Sequence, residues 1–316
     1  MYEKVMIMMG DNVKKTGGLI AAAGKFPKKS KLDPLYKIGS ITVIKREVLT
    51  FQIAGLSPIV IVVGYRAGEI EHQLSDYGVI FIRNQNYENT DKFDSVKLGL
   101  EYMRDQCDQI VYTPVNVPMV TPDTIQKMIS TKKPLVVPSY HGKSGRPVLL
   151  DRQILPRIMN YQGESGLKGA IESISDVRTF MEVEDEGIIH TTDDLKRLEQ
   201  LVPLHNRQIA HPFLRINLER ESMFFDARTR LLLMQIQEAH SVREASSRMA
   251  VSYSKAWSML NKLEDELGYS VVERIHGGHK GGNTYLTQKG EEFLETYIRF
   301  ENNVRKYADE EYKRLF

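Results

Sequence analysis

The feature that most constrains the fold is a series of short, uninterrupted apolar runs that alternate with amphipathic stretches over the first two hundred or so residues. These runs predict strands at Leu19–Ala23, Ile59–Val63, Gly78–Ile82, Ile110–Tyr112 and Leu135–Pro138. Strands that are apolar without alternation are buried on both faces, which is typical of a mainly parallel sheet covered by helices. We therefore predict a Rossmann-like α/β domain of the doubly wound kind.

Amphipathic stretches predict the helices of this domain at Ile41–Ala54, Glu69–Leu74, Ser95–Asp105, Pro122–Ser130, Asp151–Met159 and Asp193–Leu201. Near residue 205 the pattern becomes irregular. The elements predicted after that point are helices at Ala227–Ala239, Val242–Met249, Tyr253–Leu267 and Gln288–Tyr312, with two short strands at Val271–Arg274 and Thr284–Leu286. We divide the chain into an α/β domain (1–204), a linker (205–220) and a helical domain (221–316).

Composition narrows the class of protein. A length of 316 residues suits about two domains, and 41% hydrophobic with 27% charged residues is typical of a globular chain. The net charge of +2 identifies no partner. A single cysteine, Cys107, excludes a disulfide framework and a cysteine-rich zinc site. Since no apolar run approaches the ~20 residues of a membrane helix and the start is unlike a secretory signal, we expect a cytoplasmic protein without membrane contact.

A lysine-rich loop follows the first strand. The chain runs from the buried strand into Gly24 and then into four lysines without an acid, ending at Lys31. Free backbone N–H groups and lysines at the carboxyl end of a strand suit a phosphate chain. A solvated surface cluster is an equally good interpretation, and neither the P-loop nor the G-x-G-x-x-G spacing is present.

Several motifs of the first domain together resemble one enzyme family. In chain order they are Leu19–Lys25 with Lys31–Leu35, Val60–Tyr65, Asn84, Asn86–Tyr87, Ser95–Gly99, Val115–Pro122, Val137–Tyr140, Gly145–Pro147, Gly163–Gly166 and Thr191–Leu195. Over about residues 17–201 this series resembles the nucleotidyltransferases of the molybdenum cofactor, the molybdopterin guanylyl- and cytidylyltransferases. The resemblance implies a nucleotide site at Ala22, Ala23, Gly24, Lys25, Lys28, Lys31, Gly64, Asn116 and Arg146.

The same resemblance exposes two departures. The family binds Mg²⁺ at two carboxylate positions, where this chain has Asn116 and either Ile188 or His190. A Mg²⁺ ion that bridges phosphate oxygens needs negatively charged ligands, so the affinity of this site for Mg²⁺ should fall steeply. We therefore assign no metal ligand and no catalytic residue, and predict a degenerate domain that retains a nucleotide or pterin pocket. If the domain were active, its cofactors would be Mg²⁺ with CTP or GTP.

The predicted helix Tyr253–Leu267 has a polar, basic edge. Ser252 is a good N-cap and Gly268 a good C-terminal stop. One face is apolar, and the opposite stripe holds Ser254, Lys255, Ser258, Asn261 and Lys262. With a short helix and a tight turn before it, this is the helix-turn-helix arrangement. Taken alone, the helix is first interpreted as an ordinary amphipathic one.

The glycine-rich segment after this helix favours a winged helix. Four glycines lie between two short strands, interleaved with His276, His279, Lys280 and Asn283. Small residues let a backbone approach phosphates, and cations supply affinity that does not depend on base sequence. The DNA-binding candidates are Ser252, Ser254, Lys255, Ser258, Asn261, Lys262, Arg274, His276 and Lys280.

This second domain resembles the DNA-binding domain of the molybdate-responsive transcriptional regulators. The matching stretches are Asp226–Met234, Ser252–Ser258, Val272–Arg274, Gly277–Gly282 and Leu286–Gly290, within about 222–300. The resemblance implies a LysR-like winged helix that binds palindromic double-stranded DNA as a homodimer. In the last helix Phe293, Tyr297, Phe300, Val304 and Tyr307 form a short coiled-coil seam, with packing onto its own domain as the alternative.

The leading interpretation is a dimeric transcription regulator linked to molybdenum-cofactor metabolism, with a degenerate nucleotidyltransferase-like domain that senses a nucleotide, a pterin or a cofactor precursor. One alternative is an active molybdopterin nucleotidyltransferase that carries a DNA-binding domain for autoregulation. Another is a transferase-like scaffold that binds a partner enzyme and no small ligand.

Overall fold

The structure is a computed structural model that describes residues 14–25, 33–275 and 283–316. The chain divides into two compact units. The first comprises the residues up to Tyr65 together with Asn84–Gln208, and the second comprises Arg66–Arg83 together with Ile209–Phe316. Within the described ranges, no helix combines the length and the apolar character needed to cross a membrane.

The strands are, in chain order, β1 (Thr16–Ala22), β2 (Lys37–Ile38), β3 (Ile41–Thr42), β4 (Ile59–Val63), β5 (Ile80–Arg83), β6 (Gln109–Pro114), β7 (Leu135–Tyr140), β8 (Lys143–Ser144), β9 (Val148–Asp151), β10 (Arg178–Glu182), β11 (Leu218–Glu219), β12 (Met223–Phe225), β13 (Val272–Ile275) and β14 (Asn283–Leu286). The α-helices are α1 (Val43–Ile53), α2 (Ala67–Leu74), α3 (Lys92–Met103), α4 (Pro122–Ser130), α5 (Leu155–Met159), α6 (Gly166–Ser173), α7 (Leu195–Gln208), α8 (Ala227–Ala239), α9 (Val242–Arg248), α10 (Tyr253–Leu267) and α11 (Gln288–Leu315).

The first unit is built on a mixed, mostly parallel sheet. Its strands lie in the order β10-β7-β9-β6-β1-β4. β1 pairs in parallel with β4 and with β6, so that Leu19 lies between Val60 and Tyr112. β9 is antiparallel to both of its neighbours, β6 and β7. The predicted α/β class with a mainly parallel sheet is confirmed, because the uninterrupted apolar strands are buried on both faces.

The sequence does not predict the two-residue strands β2, β3 and β8 of this unit, nor the longer elements β9, β10 and α6. β9 has only four residues, and its apolar run ends at Asp151. β10 is the edge strand of the sheet, and its two ends carry the charged residues Arg178 and Glu182, which mask the strand pattern. α6 contains Gly166 and Gly169, and glycine lowers helix propensity by about 1 kcal/mol per residue.

The end of α7 differs from the prediction. This helix passes through Pro203 and ends at Gln208, so the first four residues of the predicted linker are helical. The reason is packing: His205 is 2% exposed and lies against α1, where Arg46 is fully buried. The domain boundaries themselves remain predictions.

The buried histidine of α7 is held as a neutral ring. Arg46 Nη1 lies 3.0 Å from His205 Nδ1, and an arginine can only donate, so Nδ1 accepts. The opposite nitrogen, Nε2, then donates to the carbonyl oxygen of Val120 at 2.9 Å. Burial, followed by the charge of Arg46, lowers the pKa of His205 to about 4.

Three helices of the second unit, α8, α9 and α10, pack together and are followed by a hairpin. α8, α9 and α10 enclose Leu232, Leu233, Ile236, Leu260 and Leu263, all fully buried. β13 and β14 form an antiparallel hairpin directly after α10. This order and packing confirm the predicted winged helix-turn-helix class.

The turn between α9 and α10 lies at Ala250, whose φ of +54° is in the left-handed region. The backbone N–H of Val251 donates to Ser246 O at 3.0 Å and closes the turn. α10 then begins at Ser252, whose hydroxyl accepts from the backbone N–H of Lys255 at 3.2 Å, and stops at Gly268 with a φ of +75°. The capping signals in the sequence therefore locate the helix correctly.

We predict that His205 makes the first unit sensitive to acid. Because the folded pKa lies below the ordinary value of 6.5, the unfolded chain takes up the proton first as the pH falls. The free energy of unfolding of the first unit therefore falls by about 2 kcal/mol between about pH 7 and pH 5. Calorimetric unfolding of the full chain at several pH values measures this loss.

The matched control is His205→Gln, which keeps an acceptor toward Arg46 and a donor toward Val120 but does not titrate. Trp257, the single tryptophan, lies in the second unit, so its fluorescence identifies the transition of that unit. Equal pH slopes of the first unit's transition in the wild type and in His205→Gln would contradict the prediction.

Candidate functional site

The carboxyl ends of β1, β4 and β6 meet at one edge of the sheet. Gly64, after β4, lies against Ala23: a Cβ at this position would come within 2.7 Å of the Ala23 carbonyl oxygen. The backbone N–H of Val115 donates to Ala21 O at 3.1 Å, which places Asn116 at the same edge. Ligands of open α/β sheets bind at this edge.

Only part of the predicted phosphate loop lies in the described residues. Ala22 and Ala23 are buried, and Gly24 is half-buried. Lys25 is 59% exposed, and its Nζ lies 3.1 Å from Glu88 Oε1. An exposed pair of this kind contributes about 0–1 kcal/mol, so a phosphate group can take over the lysine. Lys28 and Lys31 lie outside the described residues.

A cleft of about 860 Å³ opens beside Asn116. We call it the cationic cleft and define it by six of its lining residues: Asn116, Arg146, Lys168, Arg178, Phe180 and Ile188. Of the described nucleotide-binding candidates, Asn116 and Arg146 line this cleft. The structure thus brings together two residues that are 30 positions apart in the sequence.

Backbone contacts fix Arg146 at the wall of the cleft. Its N–H donates to the carbonyl oxygen of Ile188 at 2.9 Å. The preceding Gly145 packs so tightly that a Cβ there would lie 2.5 Å from the same oxygen. Burial lowers the pKa of Arg146, but an arginine stays charged in proteins. The cleft therefore holds a largely desolvated cation.

Two other cations of the cleft are not predicted from the sequence. Lys168 lies on α6 and Arg178 on β10. The zeta nitrogen of Lys168 is 3.9 Å from Glu172 Oε1, one helical turn away. The Arg178 guanidinium lies 4.9 Å from the ring centre of Phe180, two residues along the strand. The i,i+4 spacing of Lys168 and Glu172 and the i,i+2 spacing of Arg178 and Phe180 could have indicated these contacts. Using either spacing requires knowing that α6 and β10 exist.

A buried acid supports the turn that carries Asn116. Glu47 on α1 is 3% exposed, and its Oε1 accepts from the backbone N–H of Val117 at 3.2 Å. Burial raises the pKa of Glu47 well above its ordinary value. The sequence does not predict that Glu47 supports this turn, because Glu47 looks like any polar residue of an amphipathic helix.

The residues present do not fit a magnesium ion. Mg²⁺ prefers carboxylate oxygens, whereas the first position offers the amide of Asn116 and the second offers either Ile188, which is 1% exposed, or His190. The ring of His190 lies between two carboxylates, 3.5 Å from Glu186 Oε2 and 3.4 Å from Asp194 Oδ2. Among the described residues, no group of three or more His, Cys, Asp or Glu side chains is placed to hold a metal.

In the second unit, α10 presents the predicted polar stripe outward. The exposed residues of this stripe are Ser252, Ser254, Lys255, Ser258, Asn261 and Lys262. The opposite face, with Ala256, Leu260 and Leu263, is fully buried. Glu264 is turned away, because its carboxylate accepts from the backbone N–H groups of Val271 and Val272 at 2.7 and 3.1 Å.

Aromatic rings link the cations that flank this stripe. The guanidinium of Arg274, on β13, lies 3.6 Å from the ring centre of Trp257. Tyr253 meets Trp257 edge-on at 6.1 Å, and Arg243 lies 5.2 Å from the ring centre of Tyr253. Such contacts contribute about 0.5–1 kcal/mol each at exposed sites and hold the guanidinium groups in place. His276 and Lys280 lie outside the described residues.

Comparisons with known proteins match both units. The family model described as "MobA-like NTP transferase domain" matches residues 18–178. A second model, "Bacterial regulatory helix-turn-helix protein, lysR family", matches residues 230–291.

Curated relatives match the chain over short stretches. Transcriptional regulator ModE of Yersinia pestis is 33% identical over 78 residues, which are 25% of this chain and 30% of that protein. The ModE of Haemophilus influenzae is 34% identical over 78 residues, 25% of this chain and 31% of that protein. Molybdenum-pterin-binding protein MopB of Rhodobacter capsulatus is 32% identical over 89 residues, 28% and 33% of the two chains. The chain thus spans about a third of the length of these relatives.

Solved structures resemble the first unit in fold. Rv0371c from Mycobacterium tuberculosis superposes with a TM-score of 0.50 at 19% identity, covering 60% of this chain and 100% of that one. A nucleotidyl transferase from Methanothermobacter gives 0.51 at 18% identity, covering 61% and 100%. At these identities the likeness shows the fold alone. Since the first family model spans just over half of the 316 residues, the chain belongs to the MobA-like NTP transferase domain family.

Proposed function

We propose that the protein is a ModE-like, DNA-binding transcription regulator linked to molybdenum metabolism, whose degenerate nucleotidyltransferase-like domain binds a nucleotide or pterin ligand. The observation that carries the proposal is the exposed, capped edge of α10. It presents two cations, four further hydroxyl or amide residues and no acid, beside the stacked Arg274. The matches to the lysR-type helix-turn-helix model and to ModE support it.

The chemistry of the edge suits a DNA duplex. Lys255, Ser258 and Asn261 carry the donors and acceptors that read base edges in the major groove. Ser252 and Lys262, nearer the ends of the stripe, suit phosphate oxygens, which position a protein without reading sequence. Arg274 extends the cationic surface onto the hairpin.

Dimerisation is proposed through the far part of α11. Its first half belongs to its own unit: Tyr297 is buried against Phe225, with ring centres 4.6 Å apart. Farther along, Phe300 is 48% and Tyr307 69% exposed. These residues continue the predicted seam on the exposed side of the helix, and two winged helices must span half-sites about 34–36 Å apart.

Family membership favours one rival, an active nucleotidyltransferase with a DNA-binding domain for autoregulation. The retained Lys25 and Arg146 would serve its nucleotide. Against it stand the amide of Asn116 and the buried Ile188 at the positions where a divalent ion needs carboxylates.

We predict that Lys255→Ala weakens binding to the DNA duplex that the full chain selects from a random-sequence pool. Loss of a base contact should raise the Kd by about tenfold to hundredfold and relax preference at one position. Fluorescence anisotropy measures both effects.

Two further variants sharpen this test. Lys262→Ala should weaken all duplexes alike and lower the salt slope of log K by about one. Lys196→Ala removes an exposed lysine of the first unit and should change nothing. If Lys255→Ala bound like Lys196→Ala, the assignment of α10 to DNA would be wrong.

The seam of α11 yields a second prediction. Phe300→Asp with Tyr307→Asp places two carboxylates in the proposed interface, and desolvating them should weaken the dimer by at least about tenfold. Sedimentation velocity over a concentration series reports the change. Asn302→Asp, on the opposite side of the helix, is the control, and a dimer unaffected by all three substitutions would place the interface elsewhere.

A third prediction separates the regulator from the transferase. With CTP or GTP, Mg²⁺ and molybdopterin, the full chain should release no pyrophosphate above the protein-free background, because the divalent ion lacks its carboxylates. Robust turnover in this assay would favour the active enzyme.

A further inference from the structure

The charge of the cationic cleft is unbalanced. Of the residues that the structure describes, three cations line it, Arg146, Lys168 and Arg178, against one carboxylate, Glu172. The lysine and this glutamate are both exposed and 3.9 Å apart, so they offset each other only weakly. Two arginines then remain without a counter-charge from the lining.

Arg146 pairs with neutral groups alone. Its Nη1 donates to the carbonyl oxygen of Gly145 at 3.1 Å. Among the described residues no carboxylate lies within salt-bridge distance of this guanidinium. A cation that is largely removed from water without an anion costs free energy, and an anionic ligand in the cleft would recover it.

Arg178 is positioned rather than neutralised. Its guanidinium lies over the ring of Phe180, which is 54% exposed, and in the described part of the chain it has no carboxylate within salt-bridge distance. The wall beside it contains Ile171 and Ile188. An apolar wall lowers the local dielectric and strengthens charge-assisted hydrogen bonds to a bound oxyanion.

A divalent ion would worsen this balance. The cleft offers it an amide and a buried isoleucine where the family has carboxylates, and three cations nearby would repel it. The side chains already supply the positive charge that a metal ion contributes to phosphate binding.

We propose that the cationic cleft binds a small ligand through a multivalent oxyanion group held directly by Arg146, Arg178 and Lys168, without a divalent cation. The inference rests on the proposed function, in which this domain binds a ligand. Arginine suits the role because its planar fork donates two parallel hydrogen bonds to one oxyanion. The oxyanion belongs either to a phosphate ester or to a free tetrahedral anion.

Equilibrium dialysis of the full chain with radiolabelled pyrophosphate tests the inference. The Kd in excess EDTA should lie within about threefold of the Kd in Mg²⁺, since no bridging ion is needed. Arg146→Gln and Arg178→Gln should each weaken binding by about tenfold or more. Lys133→Gln, which removes an exposed lysine elsewhere in the same unit, should bind like the wild type.

Competition distinguishes the two sources of the oxyanion. Displacement of pyrophosphate by orthophosphate or molybdate at similar concentrations identifies a free tetrahedral anion as the ligand class. Displacement by CTP or GTP but not by these anions identifies a phosphate ester. Both results support the inference.

Loss of binding in EDTA, wild-type affinity in both arginine variants, or absence of pyrophosphate binding would overturn it. Parallel DNA-binding measurements separate this failure from failure of the proposed function. If pyrophosphate alters the affinity for DNA only when Mg²⁺ is present, the proposed regulator function is supported and metal-free binding is wrong. If pyrophosphate still binds in EDTA but does not change the affinity for DNA, the description of the cleft is correct and the proposed sensing role is wrong.

Discussion

Parallel pairing of β1 with β4 and β6 is the constraint on which the proposed ligand site depends. Because all three strands direct their carboxyl ends to one edge, the turns after them converge, with Ala23, Gly64 and Asn116 in adjacent positions. Buried groups then hold these turns: Glu47 accepts from the turn after β6, and the carbonyl of Ile188 accepts from Arg146. The edge keeps its shape through backbone hydrogen bonds and a buried carboxyl group, which leaves the side chains of the cleft free to change.

This separation explains how family membership can coexist with the change in chemistry that we propose. The fold of the MobA-like NTP transferase domain survives because its strands and supporting contacts are intact. Function, however, resides in the side chains placed on a fold. Here Asn116 and Ile188 line the cleft together with three cations, Arg146, Lys168 and Arg178. This lining is the basis of the proposal that the domain holds an anion.

The second unit follows a different logic, in which local sequence carries most of the information. The cap at Ser252 and the stop at Gly268 define α10, and its apolar stripe orients it, so the polar edge is exposed as the spacing predicts. The local sequence pattern does not show how cations are held beside that edge. Arg274 lies on a separate strand, and only folding of the hairpin brings it onto the ring of Trp257.

The sequence by itself determined the α/β class, the helix-turn-helix and the exposed face of α10, because hydrophobic period and capping act within a few residues. It also placed Asn116 and Arg146 among the ligand candidates through their motifs. Only the tertiary structure decided that Lys168 and Arg178 join them. These residues lie on α6 and on the edge strand β10, whose glycines and charged ends hide them from pattern analysis. Their convergence depends on β10 pairing with β7, a contact between residues 43 positions apart, and no local periodicity encodes a contact at that separation.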